Sequence, residues 1–169
     1  MESMQYKKKK RKIDAFNFPP GRVLARKYEI ISRLGAGWEG EVFKVREVGT
    51  GIERTAKFYF PQRNLRERTS SFYAKKLHKL RNCPVLIQYH SRETIQYRKM
   101  PITFLVAEFV EGELLSDYLN RLPGKRLSSF EALHLLYSLV RGVECIHKRG
   151  EYHGDIHDDN IIVNRRGLG

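Results

Sequence analysis

Leu34-Gly35-Ala36-Gly37-Trp38-Glu39-Gly40-Glu41-Val42-Phe43-Lys44-Val45 is the stretch whose reading decides the fold of this chain. Residues 28–34 ahead of it have the makings of a short strand. Val42, Phe43 and Val45 resume a strand behind it, and Gly49-Thr50-Gly51 then supplies a hairpin turn. Gly35, Gly37 and Gly40 therefore lie between two antiparallel strands. A dinucleotide-binding fingerprint needs a helix after its last glycine, and a strand follows here. Glycines in such a hairpin let backbone N–H groups come close to phosphate oxygens. Taken alone, the pattern is equally that of an ordinary glycine-rich hairpin.

A second stretch concentrates polar chemistry: Glu151-Tyr152-His153-Gly154-Asp155-Ile156-His157-Asp158-Asp159-Asn160-Ile161-Ile162-Val163. Such a cluster is costly to bury and unhelpful as a core. Set against Ile161, Ile162 and Val163, it has the pattern of a short loop pinned by a strand, its carboxylates and amide aimed at a ligand such as a metal-bound phosphate. Between the two stretches, residues 52–60 form the next strand, with Lys57 flanked by Ala56 and Phe58. A lysine there is either a solvated side chain, the commoner case, or a cation awaiting an anion.

Together these motifs resemble the protein-kinase-like family. Gly35-x-Gly37-x-x-Gly40-x-Val42 resembles its glycine-rich loop, Thr55-Ala56-Lys57 its lysine-bearing third strand, and His153-Gly154-Asp155-x-His157-x-x-Asn160 its catalytic loop. The resemblance implies an α+β, protein-kinase-like fold. It would comprise an antiparallel five-stranded N-terminal sheet with one helix, and the first part of a helical C-terminal lobe. The expected organisation is a basic, disordered tail over 1–22, an N-lobe over 23–110, and a hinge with an incomplete C-lobe over 111–169. The implied cofactors are ATP and Mg²⁺. Gly35, Ala36, Gly37, Trp38, Gly40, Val42 and Ala56 would surround the nucleotide, with Lys57 on its α- and β-phosphates. Residues 103–113 resemble the hinge, where Glu108 and Val110 would meet the adenine through backbone groups. Glu113 would either meet the ribose or favour the next helix N-terminus. Asp155 would accept or orient the substrate hydroxyl proton, Asn160 would bind the metal, and His157 would meet a phosphate or hydroxyl.

The chain departs from the family pattern at several points. The family's helix glutamate, partner of the strand lysine, falls near Ala74 when counted back from Pro84. Glu67, the only acid in the helix expected over residues 64–80, lies about two turns earlier. Either Glu67 takes that role through a shifted helix, or Lys57 works without it. Gly154 stands where regulated protein kinases carry an arginine. His157 stands where Ser/Thr kinases carry a lysine, and so resembles the aminoglycoside and choline kinases. A Ser/Thr protein kinase is the leading expectation, with a small-molecule kinase or a nucleotide-binding pseudokinase module as alternatives. No Asp-Phe-Gly occurs before Gly169. The expectation is therefore a chain cut short, with little activity by itself.

Composition bounds the rest. Of 169 residues, 41% are hydrophobic, enough to build a core. With a basic start, no secretory signal is expected, and no apolar run reaches membrane-span length. A cytoplasmic protein is expected, with Cys83 and Cys145 as separate, buried, reduced thiols. The net charge of +13 includes a solid basic block at residues 7–12, a weak pointer to nucleic acid. It also includes seven Lys and Arg against Glu67 over residues 63–81, suited to a polyphosphate or an acidic partner. Residues 85–89, 95–98 and 102–109 have strand patterns. Residues 114–122 suggest a short helix, and Ser128 or Ser129 caps a long one running to about Lys148. The stripe Phe130, Leu133, Leu136, Tyr137, Val140, Val143 and Ile146 on that helix has the spacing of a core face.

Overall fold

A computed structural model of the chain describes residues 12–164. The fold is α+β. The strands β1 (Val23–Leu24), β2 (Tyr28–Ala36), β3 (Gly40–Glu47), β4 (Glu53–Tyr59), β5 (Tyr89–Tyr97) and β6 (Met100–Glu108) form one sheet, ordered β1-β2-β3-β4-β6-β5. The family resemblance implied a five-stranded sheet; the short β1, paired antiparallel with the start of β2, makes the sixth strand. The helix α1 (Arg68–Lys79) follows β4. The described residues divide into two compact units, 12–72 with 91–106 and 73–90 with 107–164.

The first unit is held by an aromatic core. Phe43, Val45, Ala56, Phe58, Ile102, Phe104 and Val106 are buried, and the Phe58 and Phe104 rings stack with centroids 4.4 Å apart. Aromatic pairs of this kind add stability beyond the area they remove from water. The hairpin turn forms as expected: Glu47 N–H donates to the Ile52 carbonyl at 2.9 Å.

The tail expectation is corrected over residues 13–18. Ile13, Phe16 and Phe18 are 1%, 3% and 6% exposed and belong to this core. Phe16 lies 5.3 Å from Phe60, and Phe18 lies 5.1 Å from both Phe58 and Tyr97. The strap is also hydrogen-bonded. Phe16 N–H donates to Glu41 Oε2 at 2.6 Å, and the Gln62 amide donates to the Ile13 carbonyl at 2.7 Å. Burial of Ile13, Phe16 and Phe18, together with these hydrogen bonds, offsets the entropy of ordering so short a segment. Most of the basic block, residues 7–11, lies outside the described residues.

The helix after β4 begins later than its pattern suggests. Residues Leu65–Glu67 make a separate 3₁₀ turn, and Arg66 and Glu67 both have positive φ. Asn64 sets this start: its side-chain oxygen accepts the Ser70 N–H at 2.9 Å. Leu65 and Phe72, two of the apolar residues over 64–80, are exposed.

In the second unit, α2 (Leu115–Arg121) and α3 (Ser129–His147) are helical, and β7 (Glu113–Leu114) pairs antiparallel with β8 (Ile162–Val163). Residues 85–88 are not strand, a correction to the expected run. Gln88 instead donates through its amide to the carbonyls of Leu86 and Cys83, tying the segment into a turn. Cys83 and Cys145 are joined in a disulfide, which corrects the expectation of two separate thiols. They are 62 residues apart in sequence, but Leu80, Cys83 and Ile146 share one small core that brings their Cα atoms to 5.7 Å. Of the stripe on α3, Ile146 is buried, whereas Phe130 is 71% and Leu133 67% exposed among the described residues.

Ser128 caps α3 in a reciprocal capping box: its Oγ accepts the Glu131 N–H at 3.3 Å, and its own N–H donates to Glu131 Oε2 at 2.9 Å. The Tyr118 hydroxyl donates to the other Glu131 oxygen at 2.6 Å. The Tyr118 hydroxyl first, then Ser128, lowers the Glu131 carboxyl from 4.5 to about 2.

Two expectations follow. Phe16→Ala should destabilise the chain by about 3–5 kcal/mol in urea unfolding, as for a buried aromatic, and Leu65→Ala by less than about 0.5 kcal/mol. A dispensable strap would give equally small effects. Because the Glu131 carboxyl is depressed in the folded state, its stabilisation is present above pH 4.5 and is lost as the pH falls through about 2. Glu131→Gln should flatten that acid limb of the stability profile, and NMR should place the wild-type Glu131 midpoint near 2.

Candidate functional site

The first unit sets the glycine-rich loop by strand register. β2 and β3 pair antiparallel, with Gly35 opposite Val42, and β3 pairs antiparallel with β4, with Val42 opposite Lys57 and Phe43 opposite Ala56. Within the loop, Gly37 N–H donates to the Gly40 carbonyl at 2.9 Å. Gly40 cannot carry a side chain, because a Cβ there would collide with the Phe58 carbonyl. Gly35, Ala36, Gly37, Trp38, Gly40, Val42, Ala56 and Lys57 are thus gathered at one end of this sheet. Trp38 lies beneath the guanidinium of Arg63, 3.2 Å from the ring centroid.

Lys57 does not find its counter-ion where the family pattern puts it. α1 runs Arg68-Thr69-Ser70-Ser71-Phe72-Tyr73-Ala74-Lys75-Lys76-Leu77-His78-Lys79 and contains no carboxylate. Glu67 precedes it, and its carboxylate is held by Arg92 and by the Thr103 hydroxyl at 3.0 Å. The Arg92 hydrogen bond, then Thr103, keeps the Glu67 carboxyl below the usual carboxylate range. Lys57 Nζ instead lies 2.6 Å from Glu39 Oε2, a carboxylate of the loop itself, and 5.2 Å from the Tyr59 ring centroid. Glu39 was not singled out from the sequence. The signal that could have found it was a helix without an acid, preceded by an acid in the loop.

In the second unit, Asp155, His157 and Asn160 come together. The Asn160 amide nitrogen lies 2.9 Å from the Asp155 carbonyl, 2.8 Å from Asp155 Oδ2 and 2.8 Å from His157 Nε2. Its two hydrogens are therefore shared among three acceptors. These bonds direct the amide oxygen, the atom a hard cation prefers, away from Asp155. Asp155 N–H donates to His153 Nδ1 at 3.3 Å, and His157 Nε2 lies 3.7 Å from Asp155 Oδ1. One ligand atom each from His157, Asp158 and Asp159 lies within 4.8 Å of the others, all exposed. The loop is tied down at its entrance. Lys79 Nζ meets Glu151 Oε1 at 2.7 Å, and Lys76 Nζ donates to the Tyr152 carbonyl at 2.8 Å. Part of the basic stretch over residues 63–81 is thus engaged within the chain.

Among the expected hinge residues, Glu108 Oε1 accepts the Gln88 N–H at 2.7 Å, and Glu108 N–H donates to the Gln88 carbonyl at 3.0 Å. Val110 lies in the half-buried segment after β6. The Glu113 carboxylate is taken by the Arg121 guanidinium at the end of α2. None of the described helices is long and apolar enough to cross a membrane.

Residues 28–168 match the model of the protein kinase domain. The chain belongs to the protein kinase family. It is 28% identical over 142 residues to the probable serine/threonine-protein kinase fnkE of Dictyostelium discoideum, covering 80% of this chain and 10% of that protein. It is 31% identical over 143 residues to CBL-interacting protein kinase 1 of Oryza sativa subsp. japonica, covering 83% of this chain and 30% of that one. It thus spans under a third of the length of either relative. Among solved structures, the Mycobacterium tuberculosis PknI kinase domain has the same fold, with a TM-score of 0.68 at 19% identity, over 89% of this chain and 60% of that one.

Gly154, where many kinases carry arginine, has φ of 82° in this member of the family. Only glycine enters that region without cost. Gly154→Arg should therefore lower stability by about 1–2 kcal/mol, and Gly154→Asn by less, as measured by thermal unfolding. Equal Tm values for the three proteins would show that the loop does not hold this backbone.

Proposed function

We propose that this chain carries the phosphate-binding loop and the catalytic loop of an enzyme that transfers the γ-phosphoryl group of ATP to a serine or threonine hydroxyl of a protein. The observation that carries the reading is the arrangement around Asp155, an exposed carboxylate whose Oδ2 is fixed by the Asn160 amide. Phosphoryl transfer asks the protein mainly for positioning and charge stabilisation rather than covalent chemistry. Asp155 accepts the proton of the substrate hydroxyl as its oxygen bonds to the γ-phosphorus and the bond to the β-phosphate oxygen breaks. Asn160 holds Asp155 in place and offers its amide oxygen to a cation. Oxygen donors of this kind suit Mg²⁺, which when bound neutralises charge on the phosphates. The loop over residues 35–40 covers the phosphates with backbone N–H groups, Lys57 binds the α- and β-phosphates, and the backbone of Glu108 and Val110 meets the adenine. The family and its serine/threonine kinase relatives support this reading.

A second reading rests on one observation. His157 lies beside Asp155 and Asn160, in the His-Gly-Asp-x-His pattern that resembles small-molecule kinases. It makes a hydroxylated metabolite the phosphate acceptor. Turnover assays with MgATP should separate the two, with peptide or self-phosphorylation supporting the first and labelled metabolite the second. In either case Asp155→Asn should reduce turnover by about 10²–10⁴-fold while MgATP still binds. An unchanged rate in that variant would remove Asp155 from the chemistry.

A further inference from the structure

We propose that Glu39 is a built-in competitor for the nucleotide phosphates. Its carboxylate closes the glycine-rich loop onto Lys57 and must leave before a polyphosphate can take the lysine. The inference rests on the reading that the loop and Lys57 bind nucleotide phosphates, and it adds a residue to which that reading gives no part.

Three contacts bring the tip of the loop down onto β4 and the residues that follow it. Glu39 Oε2 meets Lys57 Nζ at 2.6 Å. The Glu39 carbonyl accepts the Phe60 N–H at 2.8 Å. Trp38, the neighbouring residue, lies under the Arg63 guanidinium. The ion pair is direct and the strand register supports it, because Lys57 is paired with Val42 at the base of the same hairpin.

The chemistry of the pair makes it a gate rather than a lock. The side chains of Lys57 and Glu39 are 38% and 28% exposed, so water and salt weaken the attraction. A pair of this kind shifts an equilibrium by a factor of about two to five. A triphosphate brings several negative charges and accepts from several donors at once, so it can displace one carboxylate. It cannot share the lysine with Glu39 without like-charge repulsion. The device also follows from what α1 lacks. With no carboxylate on that helix, a loop carboxylate engages the strand lysine. Glu39 is thus a positioning residue that acts through Lys57, favouring highly charged ligands over singly charged anions.

The test compares the full 169-residue chain with Glu39→Gln, which keeps the size and removes the charge. MgATP binding is measured by calorimetry, and hydrogen exchange over residues 35–60 is measured without nucleotide. The expected result is MgATP binding about two- to fivefold tighter in the variant, a difference that shrinks at high salt. The loop amides, and the Phe60 N–H that bonds the Glu39 carbonyl, should also exchange faster before any nucleotide is added. Lys57→Met removes the other partner and should loosen the same amides. Equal or weaker MgATP binding in Glu39→Gln, with the wild type binding normally, overturns the competitor and leaves the nucleotide-binding reading intact. Unchanged loop exchange in both variants also overturns it. Failure of both the wild type and Glu39→Gln to bind MgATP overturns the competitor together with the reading beneath it.

Discussion

Side chains alternate across a β-strand, and in β4 that alternation governs the first unit. Ala56 and Phe58 are buried in the aromatic core, with Phe58 stacked on Phe104. Lys57 must then point to the other face, whatever charge awaits it there. A slip of one residue would put the ammonium into the core at prohibitive cost. The same register sets Val42 opposite Lys57, and Gly40 against the Phe58 carbonyl, where no side chain fits. The geometry of the glycine-rich loop is therefore a consequence of core packing one strand away.

The strap over residues 13–18 reinforces that arrangement. Glu41 is buried on β3, accepts the Phe16 N–H, and is paired with Arg33 at 2.7 Å. A buried carboxylate is tolerable only when it is paired and hydrogen-bonded, and the strap supplies one of the bonds. Glu39 and Glu41 therefore do different work, one holding the lysine and the other holding the strap. In the second unit, an analogous ordering comes from covalent and ionic ties. The disulfide joins the turn after α1 to α3, and Lys76 and Lys79 hold residues 151–152 at the entrance to the polar loop. The cluster of Asp155, His157 and Asn160 thus sits on a tethered loop, although its side chains are solvated.

Much of the fold was legible in the sequence. Strand alternation, the turn glycines and a cap at Ser128 or Ser129 arise from local chemistry, and the order of the three motifs carried the resemblance that implied the α+β kinase fold. Several features were not legible, for a common reason. Ile13, Phe16 and Phe18 follow a basic run and show no strand or helix period, so their burial depends on a surface built by residues far along the chain. Cys83 and Cys145 carry no spacing motif, and only the packing of Leu80 against Ile146 brings them together. The start of α1 was shifted by Asn64, whose side chain bonds Ser70 across residues 65–67 and so competes with a helical path through them.

The sequence by itself determined which residues could be strand, turn and loop, and where the carboxylates, the amide and the strand lysine lie along the chain, because these follow from periodicity and from the chemistry of each side chain. Only the tertiary structure decided the partners. It gave Lys57 to Glu39, Glu67 to Arg92 and Glu41 to the strap. Ion pairs form between whichever opposite charges the packed backbone brings within reach, and that distance is set by the core rather than by spacing in the chain.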